Sequence, residues 1–169
     1  YEALRHLLIF CKQLATERKK PYIRLNLHQD STASKMAISM GAEQWNTYAW
    51  QIKIPNFIRL LKKMRPVLEK RVEASSFKNF SGTLRLNFYN TKVDLLWVEG
   101  HLENVFRGEG ECQDTFSINA DLLPILCLGH RTWREIKYIR PDISPSSGKS
   151  MLLIEILFPL RKSWIYEQY

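Results

Sequence analysis

His28 and Asp30 stand two residues apart after an alternating stretch and form the first pair able to do acid–base chemistry. A loop that follows a strand is a common place for catalytic side chains. The same pair suits an ordinary turn, in which Asp30 or the adjacent Ser31 caps the next helix. Glu99, Glu103, Glu109 and Glu111 form a second acidic group. A tuned carboxyl pair needs a hydrophobic setting, so these four read as a solvated hairpin end. His6, His101 and His130 have no partner at metal-ligand spacing, and no metal site is expected. Cys11, Cys112 and Cys127 are odd in number and far apart, which argues against a disulfide framework or a zinc site. They read as small buried hydrophobes in the reduced state, and therefore as thiols of a cytoplasmic protein. The chain has no GxSxG, HExxH or GxxxxGKS/T motif.

The cations are more informative. The net charge is +8, and residues 1–80 hold 15 Lys and Arg against 6 Asp and Glu, while residues 81–169 hold 10 against 11. Such a field could draw nucleic acid, an anionic membrane surface or an anionic cofactor. Arg59, Lys62, Lys63, Lys70 and Arg71 lie on one amphipathic segment and could hold phosphates. Nucleic-acid binding usually adds exposed aromatics, and here the aromatics fall mostly at core-facing strand positions. A solvated helix face is the preferred reading.

The composition, 45% apolar and 25% charged, is enough for a packed core. The longest apolar runs, Leu7 to Cys11 and Leu95 to Val98, fall far short of the roughly 20 residues needed to cross a bilayer. No membrane span and no signal peptide are expected, and because the chain opens on Tyr1 its beginning is expected upstream.

Periodicity gives the elements that must position these residues. Residues 2–18 read as a helix stopped by Pro21, Tyr22 to Leu27 as a strand, and Ala33 to Met40 as a short helix ended by Gly41. Tyr48 to Ile54 reads as another strand. Asn56 caps an amphipathic segment running from Phe57 to Val72, kinked or split in two at Pro66. An antiparallel meander follows: Thr83 to Tyr89, a turn at Asn90-Thr91, Val93 to Val98, Leu102 to Phe106 and Thr115 to Ile118. Asn119 caps a helix from Asp121 to Leu128, Thr132 caps Trp133 to Ile139, and Lys149 to Phe158 forms the last helix. The loop 140–149, rich in Pro and Ser, reads as the most mobile segment. The natural cut lies near residue 45, with α-β-α before it and α+β after it.

Residues 1–45 resemble the second half of a GNAT-type N-acetyltransferase domain. The match is carried by Arg5-His6-Leu7-Leu8 to Lys20, Tyr22 to His28, and Ala33 to Met40-Gly41-Ala42. Residues 46–169 resemble the sterol-carrier-protein-like domain that some bacterial GNAT proteins carry at the C-terminus. That match rests on Tyr48 to Pro55, Arg65 to Val72, Ser81 to Tyr89, Leu126 to Arg131 and Leu157-Phe158-Pro159 before an aromatic tail. The implied fold is α+β: the tail of a GNAT α/β domain, then an antiparallel sheet covered by helices. The implied function is that of a C-terminal fragment of an acetyl-CoA-dependent N-acetyltransferase, inactive alone. Acetyl-CoA would be the cofactor, an amine the acceptor, and the sterol-carrier-like domain would shape the acceptor site and the assembly.

In the related enhanced intracellular survival acetyltransferases the terminal carboxylate acts as base, which implies that of Tyr169 here. Arg5 is the implied contact to cofactor phosphates, and Ala37 stands where many GNAT enzymes carry a tyrosine acid. Tail aromatics suggest self-association. The alternative is a carrier module for lipid or another hydrophobic ligand, with Val93, Leu95, Leu96, Trp97, Leu122, Leu126 and Leu153 around its interior. A filled core is the simpler expectation for those residues.

Overall fold

The computed structural model describes residues 1–45 and 51–162. They fall into two compact units, within residues 1–50 and 51–163. The first unit contains α1 (Glu2–Glu17) and α2 (Thr32–Ser39). Ser31 caps α2, its Oγ accepting the Ser34 N–H at 3.1 Å. Among the described residues 1–45 only Ala37 is buried, and Leu7 and Phe10 of α1 are more than half exposed.

Two strand expectations are corrected. Residues 22–27 form no strand. A strand needs a neighbour to pair its backbone donors and acceptors, and the described part of this unit contains no second one. In the expected strand Tyr48 to Ile54, residues 48–50 lie outside the described residues and residues 51–54 carry no strand.

The second unit is α+β. Its helices are α3 (Phe57–Glu73), α4 (Leu123–Cys127), α5 (Trp133–Ile139) and α6 (Gly148–Leu157), with a 3-10 turn at Ala120–Leu122. Its strands are β1 (Gly82–Asn87), β2 (Lys92–Val98), β3 (His101–Arg107), β4 (Asp114–Ser117) and β5 (Ser144–Pro145), in the order β3-β2-β1-β4-β5. The expected meander holds only for the first three strands, because β4 pairs parallel to β1. The 140–149 segment is tied in through β5, the buried Ile143 and the Ser146 N–H to Thr115 carbonyl bond of 2.8 Å.

α3 is one helix, not two. Leu61 lies before Pro66, Leu68 and Val72 after it, and all three are fully buried, so the core grips both halves. Asn56 Oδ1 accepts the Arg59 N–H at 2.8 Å and caps it as expected. α3 also shields the free edge of β3. Glu69 Oε1 accepts the Leu102 N–H at 2.9 Å, and Arg65 donates to the Glu103 carbonyl. Open edges template unwanted pairing, so this cover has a protective role. Glu69→Ala is expected to lower stability by about 1–3 kcal/mol, read as a urea-midpoint shift, because it orphans that amide.

Leu84, Leu86, Leu95, Trp97 and Phe116 point from the sheet into a core closed by Leu68, Leu126, Leu153 and Leu157 from the helices. Of the residues expected around a carrier interior, Val93, Leu95, Trp97, Leu126 and Leu153 are buried in this core. Leu96 and Leu122 are half-buried.

The opposite face of the sheet carries a crossing strap. β3 lies at one edge and β4 beyond β1, so residues 108–113 must pass over β2 and β1. Arg85 pins them. Its guanidinium grips both Asp94 oxygens at 2.7 Å and donates to the carbonyls of Gly110 at 2.7 Å and Glu109 at 2.8 Å. At Gly108 a Cβ would stand 2.4 Å from Asp94 Oδ1, so only glycine lets the strap come this close.

Candidate functional site

The expected acid–base pair is a turn. The Asp30 N–H donates to His28 Nδ1 at 3.1 Å, and Ser31 performs the cap. Glu103, Glu109 and Glu111 are exposed, as is Glu99 in the β2–β3 hairpin. Ser147, Asp114 and Lys149 do meet, at 2.8 Å for each pair with Asp114. Ser147 caps α6 in a capping box with Ser150, so this cluster anchors a helix end. Among the described residues no group of three or more His, Cys, Asp or Glu could hold a metal. No described helix is long and apolar enough to cross a membrane.

Cys127 is buried, and burial pushes its thiol from 9.0 up to about 12. The thiolate is the nucleophile, so Cys127 is inert at neutral pH. Alkylation at pH 8 is expected to spare Cys127 until the fold opens. Between about pH 9 and 12 the unfolded thiol ionises while the folded one keeps its proton, so its contribution to stability is lost as pH rises. A urea-midpoint series across that range reads this out against Cys127→Ala.

Arg5 is exposed in the first turns of α1, and Tyr169 lies outside the described residues. The start of α1 has no side-chain cap and carries the Glu2 carboxylate in its first turn. A pyrophosphate needs free amides and cations at that point.

A different site emerges at one end of the core. A cleft of about 600 Å³ opens between the start of α3, the β1–β2 loop and the 3-10 turn. Its apolar wall comes from Pro55, Phe57, Ile58, Phe88, Val93 and Ala120. Phe57 and Phe88 stack with ring centroids 4.6 Å apart. The rim is polar, yet two of its amides are already committed. Asn56 caps α3, and Asn119 Oδ1 accepts the Asp121 N–H at 3.2 Å.

Tyr89 forms one side of the mouth and is half exposed. Its backbone φ is 66°, a left-handed conformation that a bulky side chain rarely adopts. Such strain costs about 1–3 kcal/mol and persists only where surrounding contacts enforce it. Here the Tyr89 N–H donates to Asn87 Oδ1 at 3.0 Å and its hydroxyl to the Asp142 carbonyl at 2.5 Å. Sequence reading missed the cleft because its walls come from three separate segments.

No family model matches the chain, and no curated protein matches it. Solved structures similar to it include the following two. Sterol carrier protein 2 overlaps at 12% identity and a TM-score of 0.37, covering 59% of this chain and 96% of that one. UbiJ-SCP2, a ubiquinone synthesis protein, overlaps at 16% identity and a TM-score of 0.41, covering 60% and 94%.

Proposed function

We propose that residues 51–162 form a module that binds a small apolar ligand in the cleft beside Phe57 and Phe88. The observation that carries this reading is the cleft itself, with an apolar wall and a strained tyrosine at its mouth. Its volume of about 600 Å³ lies inside the common range of ligand sites, roughly 300–1,000 Å³. Strain of the Tyr89 kind gathers at ligand clamps.

Titration calorimetry with dodecanol tests the proposal. Saturable one-to-one binding is expected. Ala120→Trp fills the cleft from its rim and is expected to weaken binding at least roughly tenfold, since steric overlap costs about 1–3 kcal/mol. Absent binding, or an Ala120→Trp protein that binds equally well, would overturn it.

A further inference from the structure

Arg71 lies in the last turn of α3 and is half-buried. Its Nη1 donates to the Leu157 carbonyl at the end of α6. Its Nε is buried and has no acceptor among the described residues. Nε and Nη2 form one edge of a guanidinium, an edge shaped to grip two oxygens of one anion. Arg85 shows the same division of donors fulfilled. There Nε and Nη2 hold the two Asp94 oxygens, and Nη1 goes to the Gly110 carbonyl. No carboxylate plays the part of Asp94 at Arg71: among the described residues no ion pair includes Arg71 or Arg161.

Arg161 is the second cation at this place. Gly129 has a φ of 70°, and a Cβ on it would stand 2.7 Å from Arg161 Cβ and 2.9 Å from the Pro159 carbonyl. A glycine there lets the chain after α6 come close, and the Arg161 N–H donates to the Gly129 carbonyl at 2.7 Å. Burial first, and the Arg161 charge second, lower the Arg71 pKa. The neighbouring Cys127 thiol, pushed up to about 12, keeps its proton and supplies no counter-charge at neutral pH. Lost hydration and a like charge thus both work against Arg71, whereas buried charges are ordinarily paired. The C-terminal ends of α3 and α6 favour a cation, yet the Leu157 carbonyl takes only one of the guanidinium donors.

We infer that Arg71 and Arg161 form an oxyanion site, in which a carboxylate or phosphate takes the Nε–Nη2 edge of Arg71 and Arg161 is the second cation. The anion approaches past Arg161, whose side chain is exposed. The site lies about 20 Å along α3 from Ile58 of the cleft, at 1.5 Å rise per residue. It therefore stands or falls apart from the apolar-ligand reading.

The test follows the Arg71 Nε–H signal, assigned through bonds, by nitrogen–proton NMR on the full chain. Acetate and inorganic phosphate are titrated separately, with ionic strength held constant by chloride. A saturable shift is expected with at least one of them, which names the anion, and none is expected with chloride. Arg71→Lys keeps a charge but lacks the planar fork. Its affinity, read by calorimetry, is expected to fall at least roughly tenfold, the scale of one lost charge-assisted hydrogen bond. Arg161→Gln changes an exposed side chain, so it is expected to fold normally and to bind roughly threefold more weakly. No saturable shift with either anion, an equal response to chloride, or undiminished binding in either variant would overturn the inference.

Discussion

Replacing Arg85 by alanine is expected to cost about 3–5 kcal/mol of folding stability, because it strands a buried carboxylate. Asp94 is only 4% exposed and Arg85 3%. Bound to the guanidinium, Asp94 holds the Arg85 pKa above its ordinary value. Without Arg85, the carboxylate and the carbonyls of Glu109 and Gly110 all lose their donors. The strap over the sheet then loses its pin. Asp94→Leu together with Arg85→Met is expected to recover part of the loss, since a buried ion pair can often be replaced by apolar residues at little cost. Recovery stays incomplete, because methionine cannot donate to the two carbonyls. Urea midpoints of the single and double variants measure both effects. A single variant within about 1 kcal/mol of the wild type would show that the pair is not buried in solution.

The second large effect is expected at Gly100. Glu99 and Gly100 join β2 to β3 in a two-residue hairpin with φ of 49° and 83°. Two positive φ values identify the type I′ turn, whose twist matches that of its strands. Glycine is required at the second position for two reasons. The conformation is costly for any side chain, and a Cβ there would lie 1.9 Å from the Lys78 carbonyl. The Gly100 N–H also donates to the Phe80 carbonyl at 2.9 Å, so the hairpin end cannot move away freely. Gly100→Ala is expected to lose more than about 2 kcal/mol through strain and overpacking together. Loss of the thermal transition, or a large fall in its midpoint, is the readout. An unchanged midpoint would mean that the hairpin relaxes away from Lys78.

Local features were readable where the reason is local. The Asn56 cap, the Thr132 cap, the alternation of β1 and the presence of β2 and β3 follow from side-chain chemistry and spacing. Long-range features were not readable. A turn at Asn90-Thr91 opposes Tyr89 to Lys92, and so Arg85 to Leu96. The observed ladder opposes Asn87 to Lys92 and Arg85 to Asp94. The loop is two residues longer, with Tyr89 released from the strand into a left-handed conformation. That shift preserves which residues face the core, so the hydrophobic pattern cannot detect it. It also creates the Arg85–Asp94 pair and places Tyr89 at the mouth of the cleft. The parallel partnership of β1 and β4 escaped for a similar reason: strand order is a choice among topologies that alternation alone does not make.

The cleft as the ligand site is tested most directly by amide shifts of isotope-labelled protein titrated with dodecanol. Saturable shifts confined to residues 56–58, 88–93 and 119–121 are expected, the three segments that line it. A pattern centred on the exposed Leu128, Tyr138 and Ile139, or no saturable shift at all, would contradict it.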